Sequence, residues 1–89
     1  MQEREIEIIN KLGLHARAAT KFANIANRFS SAISVSFEGK KIDGKSIMAL
    51  MLLAAAKGSV ITLCTEGEDE ENAINALVEI INNRFDEGE

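Results

Sequence analysis

The stretch AISVSFEGKKIDGKSIMALMLLAAAKGSVITLCT, residues 32–65, changes its period twice, and those changes decide the fold. AISVSF (32–37) alternates, with Ile33, Val35 and Phe37 on one side, which is the pattern of a half-buried strand. Glu38-Gly39 is a two-residue turn of the kind that joins paired strands, and KKID (40–43) is the short return strand. Gly44 breaks it. Ser46 then reads as the N-cap of a helix, because its hydroxyl can accept from a free backbone N–H. The spacing predicts that this helix runs through IMALMLLAAA (47–56), directs Leu50, Leu53 and Ala54 to the core, and stops at Lys57-Gly58. SVITLCT (59–65) alternates again, with Ile61 and Leu63 on one face and Val60, Thr62 and Cys64 on the other.

Working outward, residues 3–9 (EREIEII) alternate charged and apolar side chains and predict a first strand that buries Ile6 and Ile8. After the loop NKLGL, residues 16–29 change to helical spacing, with Ala19, Phe22, Ala23, Ala26 and Phe29 as the apolar stripe, and Ser30-Ser31 ends the helix. Beyond Gly67, Glu68 or Asp69 starts a last helix with the stripe Ala73, Ile74, Leu77, Ile80 and Ile81. The glycines at 13, 39, 44, 58, 67 and 88 all fall between elements or in the tail. The order is β-α-β-β-α-β-α in one domain, residues 1–89. Four half-buried strands and three helices fit an α+β fold of two layers, with the helices on one face of an antiparallel sheet and the other face open.

Ten basic residues face fourteen acidic ones, for a formal charge of −4, so a broad nucleic-acid surface is not expected. Much of the acid lies in EGEDEE (66–71) and DEGE (86–89), and the first run reads as helix-start chemistry. The single cysteine, Cys64, cannot form an internal disulfide and reads as a passive strand residue. The start of the chain lacks the apolar core of a signal peptide, and the longest apolar run is too short to span a membrane. A cytoplasmic protein without membrane insertion is expected.

His15 is the only histidine, and it sits at the threshold of the first helix. Gly13 permits a tight turn before it and Leu14 can anchor the loop. The backbone N–H groups of Ala16, Arg17 and Ala18 are among the donors a helix leaves unpaired, and Arg17 adds a full positive charge beside the helix dipole. A neutral imidazole there is a nucleophile, and a phosphoryl group on it would meet those N–H groups and Arg17. From spacing alone the ring also reads as a surface histidine that merely caps the helix. A metal site lacks ligands, and no serine sits in the elbow that a hydrolytic triad needs.

GLHARAATKF (13–22) together with GKSIMALM (44–51) resembles HPr, the histidine-containing phosphocarrier family of the bacterial phosphoenolpyruvate-dependent phosphotransferase system. The likeness covers essentially the whole chain. It implies an open-faced β-sandwich with strand order 1-4-2-3, and a monomer without metal or organic cofactor. It implies that enzyme I gives a phosphoryl group to His15 at Nδ1, that Arg17 steadies it, and that a IIA domain receives it. Ser46 matches the family's regulatory serine, phosphorylated in some bacteria by HPr kinase/phosphorylase. Thr20, Ile47, Met48 and Met51 are the candidate docking residues, since methionines suit a surface that fits several partners; on pattern alone Met48 and Met51 read as well as core.

The chain departs from the family pattern at Ala18, where proline is usual, and at Asn24, Asn27 and Ala49, where basic residues are frequent. Alanine gives up rigidity worth about 0.4–1 kcal/mol. A less basic rim steers acidic partners weakly and fits a regulatory branch such as the nitrogen-related HPr paralogue. The rival readings are a regulatory module switched at Ser46 and a small-molecule-binding domain, the latter weakened by the lack of pocket-lining aromatic residues.

Overall fold

Alternation along the strands builds the sheet. The computed structural model describes residues 1–87, and the reading of Gly88 as a tail glycine lies outside them. The elements are β1 (Gln2–Glu7), α1 (Ala16–Ala26), β2 (Ala32–Phe37), β3 (Lys40–Asp43), α2 (Ile47–Leu53), β4 (Val60–Glu66) and α3 (Glu70–Asn82). The four strands form one antiparallel sheet in the order β1-β4-β2-β3. The α+β architecture and strand order are those expected. Ile33, Val35, Ile61 and Leu63 are buried on the helical side, with Ile8 just beyond β1. Glu3 pairs Cys64, and Ser34 pairs both Cys64 and Asp43, so the opposite face is polar and uncovered by helices. No helix among the described residues is long and apolar enough to cross a membrane.

The β2–β3 turn takes φ of 50° at Glu38 and 82° at Gly39, two left-handed residues in the sense that matches strand twist. On the helical side α3 packs on β1 and β4, α2 packs on β3, and α1 lies against both α2 and α3. The α1 stripe buries Ala18, Ala19, Phe22, Ala23 and Ala26, while Phe29 is half-buried beyond the helix end.

Several boundaries differ from the periodicity, each for a local reason. β1 closes at Glu7 rather than 9, and β4 is shifted by one residue to 60–66. α1 ends at Ala26, not 29. The Asn27 side-chain amide donates to the carbonyls of Ala23 (2.8 Å) and Lys45 (3.0 Å), and Arg28 and Phe29 close the end with bonds three residues back. The chain then gives the amides of Ser30 and Ser31 to the Asp69 carboxylate at 2.9 and 3.0 Å, and the Ser31 hydroxyl donates to it as well. Asp69 is therefore the residue before α3, but its carboxylate ties the α1–β2 loop instead of capping its own helix.

α2 ends at Leu53, three residues short of the expected 56, because Ala54 turns left-handed (φ 55°, ψ 35°). That conformation costs an alanine about 1 kcal/mol. It corrects the assignment of Ala54 to the core: Ala54 is exposed, and the turn swings Ala55 inward instead. One element was absent from the sequence reading. Arg84–Asp86 form a turn with φ of 53°, 53° and 62°, closed by the bonds Asp86 N–H to Asn83 O and Glu87 N–H to Arg84 O. It drives Phe85 wholly into the core.

Two expectations follow. Phe85→Ala should lose about 3–5 kcal/mol of stability in urea unfolding, because a wholly buried ring leaves a cavity; a loss under about 1 kcal/mol would show that the turn does not anchor the core. The Ser31 hydroxyl, then the Ser30 amide, hold the Asp69 carboxyl down from 3.8 to about 2. A depressed carboxylate contributes stability that is present above pH 3.8 and lost as pH falls towards about 2. Asp69→Asn should flatten that decline, measured by denaturant titration at each pH, and identical slopes would refute the loop contact.

Candidate functional site at the head of the first helix

The site is built by the loop between β1 and α1. The Asn10 side chain is wholly buried, and its Nδ2 donates to Gly13 O at 2.8 Å, while Gly13 N–H returns to Asn10 O at 3.2 Å. Gly13 has φ +67°, and a Cβ there would stand 2.5 Å from Ala55 O and 2.8 Å from Ala56 Cα. Both the conformation and the space therefore require glycine. The adjacent Leu14 buries its side chain and donates its N–H to Ala55 O at 2.9 Å. The loop is thus fastened to the left-handed end of α2, and it delivers His15 in extended conformation (φ −77°, ψ −178°) as the residue before α1.

The first helical bond runs from Ala19 N–H to His15 O at 2.8 Å, so the amides of Ala16, Arg17 and Ala18 precede it. No acidic residue lies in the first turn of α1, whereas α3 opens with Glu70 and Glu71. The positive end of the α1 dipole therefore has no counter-charge within its own first turn, and the carboxylate that faces it comes from elsewhere in the chain. His15 makes no side-chain cap, which rules out the reading of the ring as a mere helix cap. Its Nε2 pairs instead with Glu87 Oε2. A carboxylate only accepts, so Nε2 is the donor of this pair, and in the neutral ring that tautomer leaves the lone pair on Nδ1.

Glu87 Oε1 in turn accepts from Asn10 Nδ2 at 3.0 Å. The Glu87 side chain is only 9% exposed, and that of His15 27%. Burial pushes the Glu87 carboxyl up, but the hydrogen bonds from Asn10 and His15 and the charges of His15 and Arg17 outweigh it and hold the group below its ordinary value. In front of the ring lies an open recess of about 480 Å³, lined by Lys11, Leu12, His15, Ala16, Arg17 and Glu87. The arrangement brings an imidazole, two cationic side chains, a carboxylate and the start of α1 to one small space. That combination suits an anion that becomes attached to the ring.

The structure brings His15, Ala16 and Arg17 together around this recess, and it does not bring Thr20 or Ser46 to its lining. The Thr20 hydroxyl donates back to Ala16 O at 2.8 Å. Ser46 caps α2, its Oγ accepting from Ala49 N–H at 3.1 Å. Ile47, Met48 and Met51 are exposed, Met48 by 67%, which corrects the reading of the methionines as core. Leu12 at the recess and Leu52 on α2 are exposed as well, by 66% and 74%, and went unremarked in the sequence. Glu87 was missed too. It lies 72 residues from His15 in an acidic run, and only the turn that precedes it brings it back.

Comparison with known proteins identifies the family and the fold. Residues 2–83 match the family described as the PTS HPr component phosphorylation site. The chain is 60% identical to the phosphocarrier protein HPr of Pseudomonas aeruginosa over 90 residues, covering all of both chains. A crystal structure of HPr from Thermoanaerobacter tengcongensis superposes with a TM-score of 0.95 at 50% identity, covering 98% of each chain. An HPr dimer from the same organism matches at a TM-score of 0.77, again at 50% identity, over 96% of this chain and 98% of that one. With a phosphorylation-site match spanning nearly its whole length, the chain belongs to the HPr family of phosphotransferase-system phosphocarrier proteins.

Proposed function

We propose that the chain is a stoichiometric phosphoryl relay: His15 Nδ1 accepts a phosphoryl group from phosphorylated enzyme I and passes it to a IIA domain. The observation that carries this reading is the division of labour on the imidazole. Glu87 occupies Nε2, which leaves Nδ1 as the ring nitrogen without a protein partner among the described residues, and the helical bonds of α1 begin only at Ala19 N–H. Arg17 and the amides of residues 16–18 would steady the phosphoryl oxygens without trapping them. The relay needs no metal or organic cofactor. It would work in the cytoplasm as a single-domain monomer spanning residues 1–89.

Ile47, Met48 and Met51, with Thr20, form the docking surface in this reading. Exposed, flexible thioethers on a short helix let one face fit a donor and several acceptors in turn. Ser46 is a second control point. A phosphate there would put nearly two negative charges at the start of α2 and repel an acidic partner. The amide of Ala49, now bonded to Ser46 Oγ, shows how the unmodified residue is already held. The role fits either sugar uptake or a nitrogen-related regulatory branch.

The decisive assay mixes the purified protein with enzyme I and phosphoenolpyruvate and follows intact mass. One acid-labile phosphoryl group is expected on the parent chain. The same addition should be absent from a folded His15→Ala protein, and Arg17→Ala should slow charging by roughly tenfold, as expected for loss of one charged hydrogen-bonding partner. An adduct that persists in His15→Ala would overturn the assignment.

A further inference from the structure

We propose that Glu87 is a positioning residue for the phosphoryl transfer, holding the proton on His15 Nε2 through both halves of the relay. The inference rests on His15 being the carrier. Three observations support it independently of that reading. The Glu87 carboxylate faces Nε2 from a nearly closed position, 9% exposed. Its other oxygen is held by Asn10, a wholly buried side chain whose own Oδ1 has no partner. The segment that delivers it, Arg84–Asp86, takes three successive left-handed residues, a strained conformation for non-glycine residues. A buried asparagine left half-satisfied and a strained turn are maintained together where one carboxylate meets one imidazole.

The chemistry gives this arrangement a purpose. In the charging step the Nδ1 lone pair forms the Nδ1–P bond, the donor's bond to phosphorus breaks, and the donor keeps that electron pair. The ring retains its Nε2 proton and becomes a cation, which Glu87 faces. In the discharging step a lone pair of the acceptor forms the new bond to phosphorus, the Nδ1–P bond breaks, and its electrons return to Nδ1. The ring then leaves as neutral imidazole. No proton moves at Nε2 in either direction. Without the carboxylate, the phosphorylated ring can lose that proton and would have to leave as imidazolate, a far poorer leaving group.

The charged groups around the ring come from three segments. Glu87 follows the left-handed turn, Arg17 lies on α1, and Lys11 lies on the loop before it. Lys21 on α1 and Asp86 on the turn pair with each other at 3.7 Å. Arg17 and Lys11 repel a proton on the ring, so Glu87 is the group that retains it. Although Glu87 also lines the recess, its Oε2 is engaged by Nε2 and its Oε1 by Asn10.

The test compares the full-length parent with Glu87→Ala and Glu87→Gln. The parent, and His15→Ala as control, first establish by intact mass that His15 is charged; failure there sinks the carrier reading, not this one alone. Transfer from each charged protein to unphosphorylated enzyme I is then timed from about pH 6 to about pH 8, the range where imidazole protons exchange. The parent rate should be nearly flat, and that of Glu87→Ala should fall with rising pH, to roughly a tenth at the upper end. The one-bond proton–nitrogen signal of Nε2 should be visible in the parent and lost in Glu87→Ala. Glu87→Gln, which can still accept a hydrogen bond, should keep that signal and lose rate; it also serves if the alanine variant fails to fold. Rates and pH profiles equal to the parent's, or a uniform slowing with no change in pH dependence or in the Nε2 signal, would overturn the proposal.

Discussion

A single hydrogen bond, from Leu14 N–H to Ala55 O, fixes the relation between the head of α1 and the end of α2. It forms only because Gly13 brings the loop against the backbone of Ala55 and Ala56, where no side chain would fit. The left-handed Ala54 supplies the other half of the contact by ending α2 early and turning the next carbonyl towards the loop. His15 follows directly, with its extended backbone and its carbonyl already committed to α1. The placement of His15 is thus set by backbone geometry on both sides, not by a side-chain cap.

The second constraint comes from the other end of the described chain. Phe85 enters the core and the turn around it reverses direction, so that Glu87 arrives at the ring from behind. A loop buried in this way must satisfy its polar atoms, and Asn10 does so for both Gly13 O and Glu87. Core packing, a left-handed turn and the contact to one imidazole meet in these few residues. The recess itself is open to solvent in front of these residues.

The sequence carried the parts of the fold that depend on periodicity. Ile33, Val35, Ile61 and Leu63 announced their strands by alternation, and β2 and β3 begin and end where the pattern says. Ser46 was legible because an N-cap is a local bond between neighbours. His15 and Arg17 stood out through their place after a glycine and before an apolar stripe. What could not be read depends on contacts distant in sequence. The apolar run 47–56 does not reveal that α2 stops at Leu53, since the reason is the amide of Leu14. Nor does an acidic run reveal that one of its members serves the imidazole, because that depends on where Phe85 is buried. The pattern starts the last helix at Glu68 or Asp69, whereas α3 opens at Glu70 and the Asp69 carboxylate answers Ser30 and Ser31 across the fold.

The central claim is that the head of α1 receives a phosphoryl group carried on Nδ1. The most direct measurement is solution NMR of the protein before and after charging, following the amide protons of Ala16, Arg17 and Ala18 together with the two ring nitrogens of His15. The account predicts that those amides move downfield as they donate to phosphoryl oxygens, and that Nδ1 alone loses its lone-pair signature. Amides at 16–18 that stay in place, or a phosphoryl group found on Nε2, would contradict it.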